Sequence, residues 1–175
     1  MSWPLLVFCL LAGLVRADES AQLLEGVDID EIVERDKPME DIDLSHRGIV
    51  GTIPSDLDRL SATLESLDLM ENKLSGTIPP QLGRMQNLKY INLEGNRISG
   101  TIPKELGDLC SNADGEDVTI QLGENQISGT IPQELGCLAH AGEFYVNHNK
   151  LSGTLPASLG VLRKMPTTQK ICDAK

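Results

Sequence analysis

From Leu64 to Leu74 the chain reads Leu-Glu-Ser-Leu-Asp-Leu-Met-Glu-Asn-Lys-Leu, and the same spacing of apolar positions returns from Leu88 to Ile98. The centre of each segment, Leu67-Asp68-Leu69 and Ile91-Asn92-Leu93, alternates apolar and polar with a period of two. That alternation predicts a short strand whose apolar residues face a core and whose polar residue faces out. Equivalent strands are predicted at Ile42–Leu44, Ile120–Leu122 and Phe144–Val146. A second phrase recurs between them, as Val-Gly-Thr-Ile-Pro ending at Pro54, Ser-Gly-Thr-Ile-Pro ending at Pro79, Pro103 and Pro132, and Ser-Gly-Thr-Leu-Pro ending at Pro156. The prolines are spaced by 25, 24, 29 and 24 residues. A period in the twenties predicts a solenoid, because a unit that small cannot bury its own apolar face and must stack on its neighbours.

Each position in the unit has a physical task. Stacked in parallel about 4.8 Å apart, the strands make one sheet along the inner side of the coil. Asn72, Asn96, Asn125 and Asn149 each follow the last apolar strand residue by three. An inward amide there can satisfy backbone groups where the chain leaves the sheet, so these four form a structural ladder. Arg47 stands in that place in the first turn, which makes it a degenerate end repeat. The prolines fix the backbone as it rounds to the outer side. Leu57, Leu82, Leu106, Leu135 and Leu159 then return to the core, and a glycine follows four of the five.

The combined pattern, LxxLxLxxNxL continuing into LSGTIPxxLGxLxxL, resembles the plant-type leucine-rich repeat of receptor-like kinase ectodomains and polygalacturonase-inhibiting proteins. The resemblance covers residues 41–162 and implies an α/β solenoid: a right-handed superhelix of about five repeats with a short parallel concave sheet. It departs from that family at its start, where a cysteine-paired cap with a Trp-x-Gly-Val element is absent, and it has no Asn-x-Ser/Thr sequon.

Residues 1–17 carry an apolar run from Pro4 to Val15, about 12 residues where some 20 are needed to span a bilayer, and read as a signal peptide ending at Ala17. Residues 18–40 form an acidic flank in which Leu23, Leu24, Val27, Ile29, Ile32 and Val33 predict an amphipathic N-terminal helical cap. Residues 163–175 are a C-terminal tail. Of 15 basic and 26 acidic residues, only Arg16 precedes Asp18, so the mature chain carries 14 against 26, or −12. Such acidity argues against a nucleic-acid partner, which calls for a basic patch.

Three cysteines remain after residue 17, Cys110, Cys137 and Cys172. Their placement in successive turns makes Cys110 and Cys137 the preferred disulfide, with Cys137–Cys172 as the alternative. The five extra residues of the third turn fall within 110–117 and predict a surface loop. His46, His140 and His148 are far apart, and no nucleophile elbow or phosphate-cradling loop occurs, so no enzymatic activity, metal or cofactor is expected.

If the strands stack in register, their outward residues align into rows where a partner can be encoded. The expected ligand-binding set is Asp43, Ser66, Asp68, Met70, Tyr90, Asn92, Glu94, Thr119, Gln121, Glu143, Tyr145 and Asn147. Tyr90 and Tyr145 are its aromatic anchors, two strands or about 10 Å apart. The acidity of these rows suggests a partner with a basic or hydroxyl-rich surface. The resemblance implies a secreted monomer that binds a protein or peptide through the concave sheet in extracellular recognition or signalling. Its alternative implication is inhibition of a secreted glycosidase. The row of Thr52, Thr77, Thr101, Thr130 and Thr154 raises ice or polymer binding as a more distant reading.

Overall fold

A computed structural model describes residues 40–111, 117–138 and 142–159. The expected signal peptide, the helical cap up to residue 39, most of the 110–117 insertion and the tail lie outside these residues. The strands among the described residues are β1 (Asp41–Asp43), β2 (Val50–Thr52), β3 (Ser66–Asp68), β4 (Lys73–Ser75), β5 (Tyr90–Asn92), β6 (Val118–Gln121), β7 (Ser128–Gly129), β8 (Gly142–Tyr145) and β9 (Lys150–Leu151). The principal sheet is parallel, in the order β1-β3-β5-β6-β8. Ile42, Leu67, Ile91, Ile120 and Phe144 are successive partners across it, so every turn is in the register predicted from the alternation. The strands begin at least one residue before the expected bounds. Pairing nevertheless continues past their ends, as the amides of Leu44, Leu69, Leu93 and Leu122 each donate to the carbonyl one turn further on, at 2.8 Å.

Leu67, Leu69, Ile91, Leu93, Ile120, Leu122 and Phe144 are all at most 1% exposed, and with the outer Leu57, Leu82, Leu106 and Leu135 they form one continuous core. The asparagine ladder ties the turns together. Asn96 Nδ2 donates to the carbonyls of Leu69, Leu93 and Glu94, while its Oδ1 accepts from the Leu74 amide at 3.0 Å. Asn72, Asn125 and Asn149 repeat this arrangement against Leu44, Leu93 and Leu122. A polar side chain inside an apolar coil is tolerated because each of its hydrogen-bonding atoms is matched.

The outer side is built from 3-10 helix at Ser55–Leu60, Pro80–Arg84, Lys104–Ser111, Gln133–Cys137 and Ala157–Leu159. Prolines precede these segments with extended dihedrals, as at Pro54 (φ −64, ψ 138) and Pro132 (φ −62, ψ 140). The glycines after the outer leucines mark where neighbouring turns touch. A Cβ on Gly83 would stand 2.0 Å from the Glu105 carbonyl oxygen, and one on Gly107 2.5 Å from that of Glu134. Such contact leaves room only for hydrogen.

A second line of parallel pairing, not foreseen from the sequence, joins β2 to β4 and β7 to β9 along the Ser-Gly-Thr phrase. Its serines also bond from the side chain: Ser75, Ser99, Ser128 and Ser152 each donate Oγ–H to a glycine carbonyl one turn back, at 3.1–3.3 Å. The described residues end with the turn that closes at Leu159. Leu155 in it is 45% exposed, whereas its counterparts Ile53, Ile78 and Ile102 are 4, 2 and 3% exposed and Ile131 is partly buried.

Candidate functional site

The concave sheet carries three outward rows. The first runs Asp41, Ser66, Tyr90, Thr119, Glu143, and the second runs Asp43, Asp68, Asn92, Gln121, Tyr145, both held by strand pairing. The third, Ser45, Met70, Glu94, Gly123 and Asn147, lies just beyond the strands, and backbone bonds at its edge keep it in register. The whole expected set therefore shares one face, but its members are not equally open to a partner.

The second row also performs a structural task within the backbone. Asp43 Oδ1 accepts from the Ser45 amide at 3.0 Å and from its hydroxyl at 2.7 Å. Asp68 Oδ1 accepts from the Met70 amide at 2.9 Å, and Asn92 Oδ1 from the Glu94 amide at 3.1 Å. Short polar side chains at these positions bond the amide two residues on and shape the exit from the strand. Gln121 and Tyr145, too long or of the wrong chemistry for that bond, break the series.

Asn92 requires correction as a contact residue. It is only 2% exposed, because Tyr90 and Asp68 cover it and it bonds to both. Its Nδ2 donates to Tyr90 Oη at 3.1 Å and to Asp68 Oδ2 at 3.3 Å. Its place is beneath the site, where it fixes a phenol and a carboxylate relative to one another. Gly123 is likewise buried under Asn147, whose Oδ1 would lie 2.9 Å from a Cβ at that position.

Tyr145 differs from Tyr90 in its partner, donating from Oη to Glu143 Oε2 at 3.0 Å. Burial, followed by the charge of Asp68, raises the Tyr90 phenol above its ordinary value. Burial and the bond to Glu143 do the same for Tyr145. Both remain neutral donors at physiological pH. Asp43 is shifted the other way, its charged form favoured by the two bonds from Ser45.

The rows contain Asp41, Asp43, Asp68, Glu94 and Glu143 and no lysine or arginine. Lys89, at the sheet margin, pairs with Glu65 at 3.0 Å. Beyond the third row stand His46, Glu71, Gly95, Glu124 and His148, all with positive φ. His46 and His148 thus occupy opposite ends of the coil, and His140 lies outside the described residues. Cys110 stands in a disulfide, while the side chain of Cys137 is not among those described. No group of three or more potential metal ligands occurs among the described residues. The threonine row has a packing role: a Cβ added to Gly76, Gly100 or Gly129 would lie 2.8–2.9 Å from the methyl of Thr52, Thr77 or Thr101 one turn back.

Residues 63–85 and 87–109 match the family described as Leucine Rich Repeat. No curated protein sequence matches the chain. Among solved structures, the chain is similar to the plant peptide hormone receptor RGFR1 in complex with RGF2, at 32% identity and a TM-score of 0.62 over 70% of this chain and 19% of that one. It is similar to the BIR2 ectodomain from Arabidopsis thaliana at 33% identity and a TM-score of 0.59, covering 66% of this chain and 58% of that one. A plant ice-binding protein is 27% identical with a TM-score of 0.59, over 69% of this chain and 37% of that one. The chain therefore spans about a fifth of the RGFR1 chain and less than two thirds of the BIR2 ectodomain.

Proposed function

Because this chain is a leucine-rich repeat protein of the plant type, we propose that it is an extracellular, non-catalytic binding module whose concave sheet takes a protein or peptide ligand. It acts as a monomer in recognition or signalling. The observation that carries this reading is the alignment of outward rows across five strands in strict register, with two tyrosines at the surface. Aromatic side chains on a rigid scaffold supply much of the energy in such interfaces at small entropic cost. The likeness to RGFR1, solved with RGF2, supports a peptide as the ligand. The likeness to a plant ice-binding protein is set against the threonine packing described above, which gives that row a task within the fold. Thermal hysteresis at the level of an inert protein is the expected result.

The test is comparative capture from an extracellular fraction by the wild-type chain, by a Tyr90→Ala, Tyr145→Ala, Asp68→Ala variant, and by a convex-side Arg84→Ala, Lys104→Ala variant. A protein or peptide held by the first and third but released by the second supports the concave site. Retention by all three overturns it. If the captured partner is a secreted hydrolase whose activity falls on binding, the role is inhibition rather than signalling.

A further inference from the structure

The part of the sheet around β3 and β5 has a narrower chemistry than the face as a whole. Five carboxylates stand in the three rows and no lysine or arginine does, so the charge favours a basic partner. Asp68 is the best-formed of these groups. Its two oxygens accept from the Met70 amide and from Asn92 Nδ2, which orient the carboxylate without neutralising it. No basic side chain among the described residues lies within ion-pair distance of it. The donor Asn92 is 2% exposed and bonds Tyr90 Oη as well, so the phenol and the carboxylate are held together from below. With Asn92 donating to it, the Tyr90 oxygen keeps its own proton for an acceptor above the sheet.

Resting on the reading that the concave sheet binds a peptide, we propose that Tyr90 and Asp68 receive a cationic side chain, arginine or lysine, from an extended peptide laid across β3 and β5. The cation sits against the Tyr90 ring and opposite the Asp68 carboxylate, and a peptide carbonyl accepts from the Tyr90 hydroxyl. Attraction to the ring face and to a carboxylate add in this geometry, and Asn92 acts as the positioning residue for both.

The experiment is selection of a displayed library of random twelve-residue peptides on the full chain, followed by affinity measurement on synthetic copies of the winners. The expected winners are enriched in arginine or lysine. One such residue in each, changed to citrulline or glutamine, weakens binding at least tenfold. Asp68→Asn and Tyr90→Ala weaken it to a similar degree, Tyr90→Phe weakens it less, and the convex-side Asp56→Asn leaves it unchanged. Winners that lose binding with Tyr145→Ala yet are neutral or acidic and indifferent to Asp68→Asn would overturn this inference while leaving the concave site standing. Equal weakening by Asp56→Asn would reduce the effect to general charge and overturn it as well. Selection of no peptide, or only of peptides insensitive to every concave variant, would remove both readings.

Discussion

A single asparagine in this coil performs the work of a whole turn of regular hydrogen bonding. Asn96, 8% exposed, joins the carbonyls of Leu69, Leu93 and Glu94 to the amide of Leu74. Asn96→Ala strands those buried groups, and unmet polar groups in a core cost about 1–3 kcal/mol each before relaxation. The expected loss in urea unfolding is on the order of 3 kcal/mol, and a loss below about 1 kcal/mol would mean that the ladder is dispensable. One residue earlier in each repeat the backbone is left-handed, at φ 56, 52, 70, 52 and 53 for His46, Glu71, Gly95, Glu124 and His148, yet only one of the five is glycine. A side chain there costs about 1–2 kcal/mol, partly offset by the greater freedom of glycine in the unfolded chain. Glu124 also stands 4.0 Å from His148, but both are solvent-exposed and contribute little to each other. Glu124→Gly is therefore expected to stabilise the fold by about 0.5 kcal/mol, read as a higher urea midpoint at unchanged slope.

At the scale of elements, contact between successive 3-10 segments sets the pitch of the outer side. Gly83→Ala would drive a methyl group into the Glu105 backbone, and a carbonyl cannot swing aside as a side chain can. We expect a loss of roughly 3 kcal/mol, at the upper end of overpacking costs, with the Pro80–Arg84 and Lys104–Ser111 segments becoming the first to exchange their amide hydrogens. The same contacts give a register for the disulfide. Gly107 abuts Glu134, and three residues further along each segment, one turn of 3-10 helix, stand Cys110 and Cys137. Peptide mapping of the unreduced chain is expected to join these two, and a Cys110–Cys172 link would show the register to be wrong. The inner strands were legible because alternation such as Leu67-Asp68-Leu69 states both the element and its inward face. The β2–β4 pairing was not, since Lys73-Leu74-Ser75 is too short and too polar to stand out. The candidate face could be read only as a set of rows. That Asn92 lies beneath it depends on the bulk of Tyr90 and on Asp68 one turn away, a neighbour that linear spacing cannot specify.

For the molecule as a whole, parallel stacking turns a repeated residue type into a row, and hence a repeated charge into a line of charge. Asp43 lies directly beside Asp68, and Glu94, Glu143, Glu71 and Glu124 extend the negative surface over the remaining turns. Like charges on adjacent strands repel, and the net charge of −11 supplies no compensating field. Screening should therefore stabilise the coil. Raising sodium chloride from about 0.01 M to about 0.15 M shortens the Debye length from about 30 Å to about 8 Å, below the spacing of most pairs in the rows. An increase in Tm of about 3 °C is expected, corresponding to roughly 1 kcal/mol for a chain of this size. Asp68→Asn, which removes the central charge, should show a smaller increase than the wild type. Acid is not equivalent to salt in this respect. The folded pKa of Asp43 is lowered by its bonds from Ser45, so that contribution is present above the ordinary carboxylate value and is lost as pH falls through the lowered one. Salt leaves those bonds in place while weakening the repulsion around them. Stability should thus rise with salt at neutral pH and fall on strong acidification even at high salt. A Tm that does not change with salt, or that changes equally in Asp68→Asn, would mean that the acidic rows place no strain on the coil and that its charge serves binding alone.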